Sequence, residues 1–160
     1  MGKERSIERV NEMESDFAAV WGRVTGEIPA ENELSRLRRW IRDEAEECSA
    51  YEELLHASLP SAIRETLRGI LREERRHLKQ LQTLYYLRTG DSTVPALAGN
   101  GKRMPFLQSM RERYAAELSQ SESYGKAAAE KKDLAALCLQ LSAEEEKHAL
   151  QLRRIMERLL

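Results

Sequence analysis

Each of the three histidines in this chain, His56, His77 and His148, follows a glutamate by three residues: Glu53, Glu74 and Glu145. A carboxylate and an imidazole one helical turn apart can offer oxygen and nitrogen donors to the same metal ion. With 23 glutamates among 160 residues, such a pair arises by chance about one time in seven per histidine, so the motif alone separates nothing. Register does. At 100° per residue, Glu74 lies within about 20° of Leu67 and Leu81, with His77 about 60° away and one turn along, so both point into a core. Glu145 stands in the same relation to Cys138 and Leu152, with His148 beside it. Glu53 instead falls about 180° from Glu44 and from the Leu37/Tyr51 stripe, so Glu53/His56 reads as a solvated pair.

Two more glutamates share apolar faces: Glu44 with Leu37, Trp40 and Tyr51, and Glu117 with Met110, Tyr114 and Tyr124. An internal repeat follows. Glu44 and Glu117 each precede a tyrosine by seven residues, and they precede Glu74 and Glu145 by 30 and 28. In an antiparallel hairpin, residues equidistant from the turn share a level. Glu44 is 16 residues before Pro60, and Glu74 and His77 are 14 and 17 after it. Glu117 is 15 before Lys132, and Glu145 and His148 are 13 and 16 after it. Glu44, Glu74, His77, Glu117, Glu145 and His148 therefore converge on one layer. One Glu from each of two helices plus Glu-x-x-His from each of the other two is the di-iron or di-manganese carboxylate arrangement. Four carboxylates balance two divalent cations, and two neutral imidazoles add donors without charge. Without metal, four anions in one apolar layer repel one another and lose hydration, so they protonate or loosen the helices.

The remaining candidates have plainer readings. Tyr51 and Tyr124 face the layer, where they can hydrogen-bond ligand carboxylates or relay an electron. Cys48 and Cys138 read as buried apolar side chains, and the arginine runs 36–39 and 72–76 as solvated helix faces.

The elements that must carry these groups are helices. Ile7, Val10, Phe17, Val20, Trp21 and Val24 stripe a first segment that stops between Gly22 and Pro29. Leu34, Leu37, Trp40, Ile41, Cys48, Tyr51 and Leu55 mark a helix from about Ala30, ended by residues 56–60. Leu67, Ile70, Leu71, Leu78, Leu81 and Leu84 carry another to about Leu87. Phe106, Leu107, Met110, Tyr114 and Tyr124 mark the next, and Leu134, Leu137, Leu141, Leu152, Ile155 and Leu159 the last, with a polar turn at 130–133. Thr89 to Arg103, with three glycines and a proline, reads as an irregular connection. Helices of about 27 residues are about 40 Å long, and 15 extended residues reach about 50 Å, so this connection can cross the whole bundle. The expected fold is all-α: two antiparallel hairpins joined by one long crossover, with an amphipathic helix over 1–28 as an extra element before a bundle over 29–160.

Composition agrees. Leu, Ala, Glu and Arg dominate, aromatics are 6%, and the 26 basic against 27 acidic residues leave a net charge of -1, which favours neither nucleic acid nor an anionic membrane. The two cysteines stand 90 residues apart without a CxxC, which fits a reducing cytoplasmic setting and excludes a rubredoxin-like or zinc-ribbon module. The opening residues lack the apolar core of a signal peptide, and no run of eighteen apolar residues occurs.

Over about residues 31–159 the chain resembles the ferritin-like superfamily, near rubrerythrin and bacterioferritin. DEAEECSAY (43–51), EERRH (73–77), ELSQSESY (117–124) and EEEKH (144–148) carry the likeness. The resemblance implies a ferritin-like four-helix bundle holding two iron ions, with manganese as an alternative, on Glu44, Glu74, His77, Glu117, Glu145 and His148. Either Glu74 and Glu145, or Glu44 and Glu117, would bridge or chelate the metals. It implies a rubrerythrin-like oxidoreductase that reacts with hydrogen peroxide or dioxygen and works as a homodimer. Electrons would come from an external donor protein, since the rubredoxin cysteines are absent. Arg75 and Arg76 stand where bacterioferritin places its haem methionine, so no haem is expected. Only twelve residues follow His148, too few for the extra C-terminal helix of bacterioferritin cages. Ferroxidation with iron storage or delivery, and a bundle merely stapled by metal, are the alternative functions.

Overall fold

A computed structural model describes residues 32–92 and 104–159. Four helices account for nearly all of them: α1 Glu33–Leu54, α2 Ser61–Thr89, α3 Phe106–Glu130 and α4 Ala135–Leu159. The amphipathic segment 1–28 and most of the 89–103 connection lie outside the described residues. The chain divides into two compact units, 1–36 and 37–160.

Local chemistry sets the helix ends. In the first unit, Asn32 Oδ1 accepts the Ser35 N–H at 2.7 Å, which caps α1 three residues later than the apolar stripe alone suggests. At the other end of α1, Arg64 reaches back from α2 to donate to the carbonyls of Leu55 and Ala57 at 3.0 and 3.1 Å, satisfying acceptors that the helix leaves open. Pro60 precedes α2, where its missing N–H costs nothing. Gly90 ends α2 at φ 71°, a left-handed position suited to glycine, and donates its N–H to Tyr86 O at 2.7 Å. Residues 131–134 form the turn between α3 and α4.

Side-chain contacts fix the arrangement. Arg38 meets Tyr85 and Arg75 meets Glu52, so α1 and α2 run antiparallel. Trp40 meets Ser123 and Tyr51 meets Glu117, so α1 and α3 do as well. Arg76 meets Glu144 and Arg88 meets Asp133, which sets α2 against α4 in the same sense. The two Ser121–Ser142 side-chain-to-carbonyl bonds join α3 to α4. The fold is thus a four-helix bundle of two hairpins. The C-terminal end of α2 and the N-terminal end of α3 lie at opposite ends of it, as a single crossover between the hairpins requires.

The apolar core forms two clusters. One contains Leu37, Trp40, Ile41, Leu81, Tyr124, Cys138 and Leu141. The other contains Tyr51, Leu54, Leu67, Ile70, Met110, Leu152 and Ile155. On every helix the position between the two sets is a buried glutamate or histidine, so a polar layer divides the core. Some stripe positions leave the core at the helix ends: Leu34, Leu87 and Leu159 are exposed, and Tyr85 is buried where Leu84 is only partly so. No described helix is long and apolar enough to cross a membrane.

Candidate metal centre

Glu44, Glu74, His77, Glu117, Glu145 and His148 are all fully buried, while Glu53 and His56 are exposed. The six buried groups meet in the dividing layer. Their donor atoms form two sets, each with all atoms within 4.8 Å of one another: Glu44, Glu74, His77 and Glu145, and Glu74, Glu117, Glu145 and His148. Glu74 and Glu145 belong to both, so these two Glu-x-x-His carboxylates occupy the shared position and Glu44 and Glu117 the outer ones.

The two imidazoles are arranged alike. His77 Nδ1 lies 3.0, 3.5 and 3.7 Å from Glu145, Glu74 and Glu44. His148 Nδ1 lies 2.7, 3.2 and 3.4 Å from Glu74, Glu145 and Glu117. The rings face each other with centroids 5.7 Å apart. Each Nε2 points away, to the glutamate that precedes the opposite helix's shared carboxylate: His77 to Glu144 at 2.6 Å and His148 to Glu73 at 2.7 Å. Glu144 also binds Arg76, and Glu73 binds Lys147, at the surface. An imidazole whose Nε2 is held by a carboxylate presents Nδ1 as an oriented, electron-rich donor. The tyrosines complete the repeat, Tyr51 donating to Glu117 Oε1 and Tyr124 to Glu44 Oε1. Burial and those carboxylates push both phenols well above their ordinary range, so they stay protonated donors.

Electrostatics report an excess of negative charge. Burial opposes charging of both histidines, yet the carboxylates prevail: Glu145, Glu44 and Glu74 raise His77 well above its ordinary range, and Glu117, Glu145 and Glu74 bring His148 to about 12. Burial and Glu74 push Glu44 up to about 8, and burial holds Glu145 well above the carboxylate range. For Glu74 burial is outweighed by His148 and His77, and it falls to about 2. Without metal, protons neutralise this layer. Glu44 Oε2, both oxygens of Glu74, His77 Nδ1, Glu117 Oε2 and Glu145 Oε1 are nevertheless buried without a well-aligned hydrogen bond among the described residues, their contacts to one another being close but poorly directed. Buried polar atoms left so poorly bonded are costly unless a ligand takes them up.

Register reasoning does not single out Glu47, Glu73 or Glu144. Glu47 is buried and bonded to Arg113, with its Oε2 unpartnered, and burial raises it to about 8 against the pull of Arg113. Its signal was the spacing of three from Glu44. For Glu73 and Glu144 it was the doubled glutamate in EERRH and EEEKH. Cys48 and Cys138 are both buried and form no disulfide, and burial pushes Cys48 up to about 12. No protein-family model, curated protein or solved structure matches this chain.

Proposed function

We propose that the chain is a ferritin-like, rubrerythrin-like di-iron oxidoreductase that reduces hydrogen peroxide or dioxygen with electrons from an external donor protein, working as a homodimer. The observation that carries this reading is the pair of donor sets sharing Glu74 and Glu145 around buried atoms that lack well-aligned hydrogen bonds. Four carboxylates and two Nδ1 atoms suit two divalent first-row metals, and iron or manganese fits this oxygen-rich set better than copper or zinc, which favour sulfur or more nitrogen. Glu44, His77 and the shared pair would hold one ion, and Glu117, His148 and the shared pair the other. Two iron ions bound there supply both a redox centre and a Lewis acid for an oxygen substrate.

The chain's own residues do the rest. Glu73 and Glu144 fix the imidazole rings so that Nδ1 stays aimed inward, and their surface cations keep them ionised. Tyr51 and Tyr124 hold the outer carboxylates by one oxygen each. The two apolar clusters exclude bulk water on either side. Reduction of peroxide to two waters takes two electrons and two protons. The test is oxidation of a ferrous-loaded sample by one equivalent of peroxide per chain, followed optically and by iron oxidation state. Two irons oxidised per peroxide supports the reading, and binding of iron that peroxide leaves ferrous refutes it.

A further inference from the structure

We propose that Tyr124 and Trp40 form a one-electron path from the ligand layer toward the protein surface, and that only one of the two layer tyrosines is connected in this way. The inference rests on the layer being a redox-active metal centre. Tyr124 donates its hydroxyl to Glu44, and its ring meets that of Trp40 with centroids 4.8 Å apart and planes tilted by 53°. Both rings are buried to within 1%. Trp40 Nε1 donates to Ser123 Oγ at 3.0 Å, on a partly exposed flank of α3. Carboxylate, phenol, indole and hydroxyl thus follow one another outward without a gap.

The other half of the repeat lacks this path. Trp40 stands four residues before Glu44, and four residues before Glu117 stands Arg113. Arg113 is bonded to Glu47, and a guanidinium does not give up an electron under conditions that oxidise phenol or indole. Among the described residues Tyr51 has no ring contact with another aromatic side chain. The tyrosine-to-carboxylate bond is duplicated, and the next residue outward is not.

For each electron, Tyr124 is oxidised toward the peroxide at the layer and passes its hydroxyl proton to Glu44 Oε1. Trp40 then reduces the Tyr124 phenoxyl radical, which takes the proton back. The Trp40 radical cation keeps its proton on Nε1, hydrogen-bonded to Ser123 Oγ, and is reduced by the external one-electron donor. Two such passes with two protons from solvent convert peroxide to two waters and restore both side chains.

The test uses iron-loaded protein already oxidised in air and then mixed with peroxide without donor, so that electrons must come from side chains. Samples are frozen at intervals for electron paramagnetic resonance, with iron counted in each. Wild-type protein gives an indole radical. Trp40→Phe loses it and accumulates a phenoxyl radical, Tyr124→Phe loses both, and Tyr51→Phe retains the indole signal. Ser123→Ala, which leaves every ring in place, keeps the radical and shifts its nitrogen coupling. Trp21 is the only other tryptophan, so an indole signal that survives in Trp40→Phe overturns the path. Its survival in Tyr124→Phe, or its loss in a Tyr51→Phe sample that still holds full iron, overturns it equally. Full iron with peroxide consumed but no aromatic radical refutes the path and leaves the metal reading standing. Less than one iron per chain overturns both.

Discussion

Loading two divalent metal ions into the apo protein at pH 7 should expel about four protons. The number comes from the layer itself. His77 and His148 are held as imidazolium by the carboxylates around each Nδ1, with His148 at about 12. Glu44 at about 8 and Glu145, well above its ordinary range, are held as neutral acids chiefly by burial. Each of these four groups must lose its proton to become a ligand, and Glu74, at about 2, has none to lose. Four protons per pair of ions make the overall binding constant rise about 10⁴-fold per pH unit near neutrality, or about 5 kcal/mol. Above pH 8 Glu44 is already ionised, so the count should fall by about one. Titration calorimetry in two buffers of different ionisation enthalpy reads the proton count directly. Metal binding that releases about one proton or fewer would show that the imidazoles and shared carboxyls do not receive the ions.

Four further outcomes are expected. The stability of apo protein should fall as pH rises from about 4.5 to 8. Glu44, Glu47 and Glu145 have raised folded values, so the stability they contribute is full below the unfolded value and is lost as pH climbs through the folded one, at about 1.4 kcal/mol per pH unit for each group at most. Metal loading should flatten this dependence in thermal melts across the same range, and an apo protein equally stable at pH 5 and pH 8 would contradict a shared buried layer. Glu73→Gln or Glu144→Gln should weaken metal binding about 10- to 100-fold in a competition titration while leaving the apo melt nearly unchanged, because each acts through a histidine Nε2. Glu74→Ala should abolish binding of at least one ion and Glu53→Ala none, and equal loss in the two would place the register of α1 in error. Arg113→Ala should destabilise the fold by about 2 kcal/mol in urea by leaving buried Glu47 without its hydrogen-bond partner, and Glu47→Leu in the same chain should recover part of that loss.

Much of this was legible in the sequence because helical periodicity and hairpin spacing are geometric. Glu74 and Glu145 share faces with leucines, and counting from Pro60 and Lys132 puts six groups on one level, where they are found. The exposed Glu53/His56 pair separated on the same grounds. Other features depend on packing between helices, which periodicity along one chain does not encode. Glu47 looks like one more charge on a charged helix until Arg113 of α3 is set against it. That Glu74 and Glu145 take the shared position, rather than Glu44 and Glu117, depends on how the side chains of α2 and α4 meet across the layer. The ends of α1 and α2 differ from the apolar stripe for a local reason: Asn32 capping and the left-handed Gly90 set them, while Leu34 and Leu87 lie beyond the core.

The claim that the polar layer is a binuclear metal centre is tested most directly by anaerobic reconstitution with ferrous iron, removal of loose metal and counting of iron per chain. Two irons per chain in the wild type, one or none in Glu74→Ala, and an oxo-bridged absorption after peroxide or air are the expected results. Fewer than one iron per chain at saturation, or two retained in Glu74→Ala, would contradict it.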